Sequence, residues 1–247
     1  MAEPAPIRGY ATAEGTAGYR GRLGARAAEG HFRAWQGLTL ASLGIGTYLG
    51  PEDDATDRAY QAAVRRALEL GWNVVDSAVN YRRQRSERSI GAALRALLKE
   101  VRIAREDVLL ATKGGFLPLP VERYVRAGVV EPGDVVGNTH CIAPRYLADQ
   151  LEQSRANLGV ETIDVYFVHN PETQLEAVDR PTFMSRLRAA FEFLEGAVRD
   201  GKIRWYGAAT WNGLRQPATA RDHLSLAALV GLAREVAGDQ HHFGVIQ

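Results

Sequence analysis

The chain of 247 residues contains one cysteine, Cys141. An intrachain disulfide is therefore impossible, and a cysteine-based metal cluster is not expected. Charge of either sign is not in excess: 30 Lys and Arg face 29 Asp and Glu, for a net charge of +1. That balance gives no field to draw the chain to nucleic acid or to a membrane surface, and the basic residues carry no aromatic interleaving. No apolar run approaches the roughly 20 residues of a membrane helix, and MAEPAPIRGYATAEG has no segment fit for a signal peptide. A cytoplasmic location and a small-molecule partner are the expectation. What the chain does have is 46% hydrophobic and 24% charged residues, enough for a real core.

Short apolar segments alternate with amphipathic ones from Leu38 onward. LTLASLGIGTYLG, WNVVD, DVLLATK, TIDVYFVHNP, KIRWYGAAT and HFGVIQ read as six strands. Five helices separate them, the second with Ser86 as its expected N-cap and the third opened by Pro144. Residues 1–37 read as an irregular extension or loose hairpin, and 38–247 as one barrel-like domain with a long loop at 114–143. Strand–helix alternation implies parallel strands covered by helices. A doubly wound dinucleotide fold needs a Gly-rich loop after its first strand, and LGIGTYLGPEDD has the wrong spacing. A (β/α)8 TIM barrel fits better, yet only six of its eight strands are found. The expectation is thus an α/β barrel that is incomplete, with the last two βα units missing.

Such a barrel carries its chemistry at the C-terminal ends of the strands. Asp76, Tyr81, Lys113 and His169 stand there or just beyond. Each has a bland alternative: a turn cap, a packing residue, a snorkelling lysine, a core histidine. Together they supply an acid and the groups that tune it. A phenol has an ordinary pKa of about 10, and a neighbouring ammonium favours the phenolate. An aspartate would hold that ammonium charged, and a histidine would orient a carbonyl oxygen. No side chain supplies hydride, so reduction by such a set needs a nicotinamide. One histidine and one carboxylate suit a metal site poorly, and no nucleophile elbow is present.

GWNVVDSAVNY followed by SERSIG, LLATK, and TIDVYFVHNP with its Ile-Asp-x-Tyr pattern resemble the motifs of the aldo-keto reductases. The resemblance runs from about residue 38 onward. It implies a (β/α)8 barrel, NADP(H) as cofactor, and reduction of an aldehyde or ketone to an alcohol. On it, Tyr81 is the proton donor and Asp76, Lys113 and His169 complete the catalytic set.

Two departures stand out. The family usually has Gly-x-Ser-Asn after the fifth strand to hold the nicotinamide carboxamide; YGAATWNG places Ala209 and Thr210 there. Thr210, Asn170 and Gln247 are the cofactor-binding candidates. The family's seventh and eighth strands, with their 2′-phosphate-gripping residues, have no counterpart. Unpaired barrel edges are expected to make the polypeptide unstable or self-associating. Alternatives left open are sugar or polyol oxidation, a non-catalytic regulatory barrel, and an inactive fragment. Phe116, Trp211 and Tyr124 are candidate substrate walls.

Overall fold

A computed structural model describes residues 5–100 and 102–247. Six strands form one sheet in chain order: β3 (Ile45–Gly46), β4 (Val74–Asp76), β5 (Leu109–Gly114), β6 (Ile163–His169), β7 (Ile203–Ala209) and β8 (Phe243–Ile246). Between successive strands lie α2 (Asp54–Glu69), α3 (Arg85–Lys99), α5 (Pro144–Leu158), α6 (Arg180–Arg199) and α7 (Leu226–Ala237). This is an α/β fold with a partial parallel sheet flanked by helices, matching an incomplete barrel. Among the described residues no helix is long and apolar enough to cross a membrane.

The chain divides into two compact units, Met1–Thr112 with Gln153–Asp164, and Lys113–Glu152 with Val165–Gln247. In the first, α2 starts where the Asp53 carboxylate accepts the Thr56 N–H at 2.7 Å, with Asp54 and Asp57 favourably placed in the first turn. Helix α3 buries Ile90, Ala93, Leu94 and Leu97, the i, i+3, i+4, i+7 stripe of an amphipathic helix. Ser86 is not its N-cap. The helix begins at Arg85 after a left-handed Gln84, and the Ser86 hydroxyl instead donates to the Thr47 carbonyl at 2.7 Å.

The expected strand over residues 38–50 is two elements. Leu38–Ala41 (β2) pairs antiparallel with Phe32–Trp35 (β1), joined by Gln36 and Gly37, both at positive φ as a tight hairpin turn requires. The chain then re-enters the parallel sheet, with Ile45 opposite Val75. Residues 1–37 also contain a helix, α1 (Ala13–Leu23), which buries Thr16, Tyr19 and Leu23. Asp164, fully buried on β6, ties the unit together. It accepts from Ala11 N at 2.7 Å, Leu110 N at 2.8 Å and Arg105 Nη2 at 2.6 Å. Asn73 does the same for the hairpin, bonding Ala41 N, Thr39 O and Asp107 O.

In the second unit, β6 contributes Tyr166, Phe167 and Val168 to the core, and β7 contributes Tyr206 and Ala208. Buried apolar side chains on successive residues mark strands covered on both faces. The loop at 114–143 is an ordered layer with a short helix, α4 (Val121–Arg126), and a cluster of its own. Tyr124, Val130, Cys141 and Tyr146 are buried there beneath Leu117, Leu119 and Val135.

Candidate active site

The first unit carries Asp76 and Tyr81. The parallel register Gly46–Asp76–Ala111 puts Asp76 at the C-terminal end of β4. Ser77 N continues the ladder to Ala111 O at 3.0 Å, and the Thr47 hydroxyl lies 3.0 Å from Ser77 Oγ. A turn follows in which Tyr81 N donates to Ala78 O at 3.0 Å. Then Arg82, Arg83 and Gln84 all adopt left-handed backbone, with φ of 48–71°. Three such non-glycine residues in succession are costly and need external support. Arg82 supplies it: its buried guanidinium donates to Pro51 O at 2.8 Å, Asp53 O at 3.2 Å and the Asp57 carboxylate at 2.8 Å.

The Tyr81 ring lies 4.9 Å from the exposed ring of Tyr48. Burial, then the Asp76 carboxylate, then Tyr48 push the Tyr81 phenol well above its ordinary value. This is opposite to the lowering that a neighbouring ammonium would give. Tyr81 therefore keeps its proton at neutral pH, the state a proton donor needs.

The second unit carries Lys113, His169, Asn170, Thr210 and Gln247. Lys113, on β5, is 1% exposed. His169 ends β6, and its pKa falls to about 3 through burial, then the Lys113 charge, then His140. Its imidazole is neutral. Asn170 adopts the left-handed conformation (φ 44°) that stops the strand, and its N–H donates to Ala209 O at 2.6 Å. Gln247 extends the β7–β8 ladder through its backbone, pairing with Ala208 O and Thr210 N.

Thr210 is engaged in a way its position in the sequence does not suggest. Its hydroxyl donates to Glu172 Oε1 and accepts from Gly213 N at 2.8 Å. Its single proton is therefore already committed. Glu172 also accepts Trp211 N at 3.1 Å, while its Oε2 is buried with no partner among the described residues. Glu172 escapes sequence reasoning because nothing in HNPE marks a carboxylate that folds back on the next strand's loop.

Two further residues were not anticipated. His140 is fully buried and its Nε2 lies 2.7 Å from His169 O. Gln174 reaches His140 Nδ1 at 2.8 Å. Of the candidate substrate walls, Phe116 stands edge-on to both His140 and His169, at 4.8 and 5.1 Å between ring centroids. Trp211 is 70% exposed. Tyr124 is a packing residue, its ring 5.6 Å from Tyr146 inside the loop's own cluster. Cys141 is buried, and burial pushes its thiol up to about 11, which makes it inert. Among the described residues no group of three His, Cys, Asp or Glu is placed to hold a metal ion.

A profile described as the Aldo/keto reductase family matches residues 42–229. The NADH-specific methylglyoxal reductase of Escherichia coli is 27% identical over 180 residues, covering 70% of this chain and 49% of that protein. The 6-dehydroglucose reductase of Novosphingobium aromaticivorans is 29% identical over 180 residues, covering 71% and 49%. A solved structure of an aldo-keto reductase from Bacillus halodurans in its holo form superposes with a TM-score of 0.51 at 25% identity, over 72% of this chain and 50% of that one. The chain spans about half the length of these curated relatives.

Proposed function

From the match over residues 42–229, by which the chain belongs to the aldo/keto reductase family, we propose that it carries the catalytic residues of an NADP(H)-dependent oxidoreductase reducing an aldehyde or ketone to an alcohol. The observation that carries this reading is that the matched span includes Asp76, Tyr81, Lys113 and His169.

In this reading Tyr81 donates a proton to the carbonyl oxygen as negative charge develops there. Its burial beside Asp76 supports the role, since both keep the phenol protonated until a stronger base forms. The family pattern assigns Lys113, buried on β5, the task of tuning that tyrosine. His169, held neutral, donates a hydrogen bond that orients the carbonyl. A bound nicotinamide supplies the hydride.

The residues of the second unit fit the amide end of such a cofactor. Among the described residues Glu172 Oε2 is a buried acceptor without a partner, and a carboxamide N–H is a donor that would complete it. Ala209 offers no polar side chain, so Glu172 with Thr210, Asn170 and Gln247 form the binding set proposed here.

The test is spectrophotometric assay of the full chain with NADPH and a panel of aldehydes and ketones. Tyr81→Phe is expected to lower turnover by about 100- to 10,000-fold while NADPH binding persists. Undiminished turnover in that variant refutes the reading.

A further inference from the structure

Residue His140 lies in the 114–143 loop, outside the motif positions, and is 0% exposed. Its two ring nitrogens have defined partners, and the order of donors along the chain of contacts is fixed from one end. Arg186 has only donors, and its Nη1 meets Gln174 Oε1 at 2.5 Å. That orients the Gln174 amide so that its Nε2 is the atom 2.8 Å from His140 Nδ1. An amide nitrogen donates, so Nδ1 accepts, and the neutral imidazole must carry its proton on Nε2. Nε2–H then donates to the His169 carbonyl at 2.7 Å. Arg186 is itself anchored, its Nη2 donating to Gly133 O at 2.7 Å.

The His169 carbonyl needs this bond. Asn170 turns left-handed immediately after β6, and its N–H is taken by Ala209 O at 2.6 Å. The peptide joining 169 and 170 is thus clamped at both polar ends, by His140 on one side and β7 on the other. Phe116 stands edge-on to both imidazoles at interplanar angles of 70° and 87°. Gly115 leaves room for the contact: a Cβ there would sit 2.7 Å from His169 O and 3.0 Å from His140 Nε2.

We propose that His140 is the positioning residue for His169, a neutral Nε2–H imidazole, oriented by Gln174 and Arg186, that fixes the peptide on which His169 is mounted. The catalytic consequence rests on the reading of His169 as a substrate-facing donor; the hydrogen-bond chain does not. Burial lowers the pKa of His140 to about 4, and the Gln174 amide donor that faces Nδ1 leaves no acceptor there for a second ring proton.

Nitrogen-detected NMR of the full chain with labelled histidine tests the proposal without cofactor. The expected result is a slowly exchanging His140 Nε2–H, with the neutral Nε2–H tautomer persisting to about pH 5. In Gln174→Glu the residue facing Nδ1 becomes an acceptor. His140 should then take a proton on Nδ1, and the His169 ring resonances should move with it. His140→Gln should move the His169 resonances as well. In the reductase assay both variants are expected to lower kcat by about 10- to 100-fold with the KM for NADPH unchanged. A His140 found as the Nδ1–H tautomer or charged at neutral pH overturns the proposal. So do unmoved His169 resonances in both variants. A correct tautomer and moving resonances in a chain without reductase activity instead sink the functional reading and leave the clamp standing.

Discussion

Acidification from about pH 7 to about pH 5 acts on His140 and His169 in a way the structure makes quantitative. In the fold their pKa values are about 4 and about 3, against 6.5 for an ordinary histidine. Both are lowered chiefly by burial, so the unfolded chain takes up their protons first. Their contribution to stability is full above about pH 6.5 and declines as the pH falls toward the folded values. Each histidine costs about 1.4 kcal/mol per pH unit within that window. Between about pH 7 and about pH 5 the pair removes about 4 kcal/mol, a large share of the 5–15 kcal/mol typical of a domain. The carboxylates of Asp53, Asp57, Asp179 and Glu100 are held below their ordinary values, so their losses fall at lower pH. Urea unfolding followed by circular dichroism at both pH values measures the loss directly. His140→Gln lowers stability at every pH, but it should cut the pH-dependent part to about 2 kcal/mol. Equal pH-dependent losses in the two proteins would refute the reasoning.

Two substitutions probe the first unit. Gly91→Ala would place a Cβ 2.7 Å from the carbonyls of Asn157 and Leu158, so α3 must move off the end of α5; a loss of about 1–3 kcal/mol in urea unfolding is expected, and an unchanged midpoint contradicts the close packing. Arg83→Gly removes a non-glycine residue from left-handed backbone (φ 48°) and gives up an exposed ion pair with Glu52. It should raise stability by about 0.5–1 kcal/mol, and a lower midpoint contradicts the strain argument.

The parallel strands and their helices were legible because burial on both faces leaves continuous apolar runs such as VYFV in β6, and one-sided burial leaves stripes such as 90, 93, 94 and 97 in α3. The residue that closes each run stands out as polar at a strand end, as at Asp76, Lys113 and His169. Other features left no such trace. Helix α1, AEGTAGYRGRL, has three glycines and no apolar stripe. It is held by tertiary contacts, among them the Tyr19 hydroxyl donating to Leu68 O. The antiparallel pairing of Leu38–Ala41 depends on a two-residue turn at Gln36 and Gly37, and glutamine does not advertise positive φ. Glu172, His140, Gln174 and Arg186 act on partners 12 to 53 positions away, beyond any local period. Burial is the largest influence on the Tyr81 phenol and raises it, and no pattern of neighbouring charges in the sequence displays it.

Asp164 has a consequence for the order in which the chain can fold. Its three partners lie 54, 59 and 153 residues earlier. During synthesis, Ala11 and the turn at Arg105 emerge long before the carboxylate that fastens them. The N-terminal segment must therefore wait until residue 164 has been made, with the Arg105 guanidinium solvated in the meantime. Closing so long a loop late is slow relative to forming local helices. The last step in assembling the first unit is thus the arrival of β6, when one carboxylate gathers three segments at once.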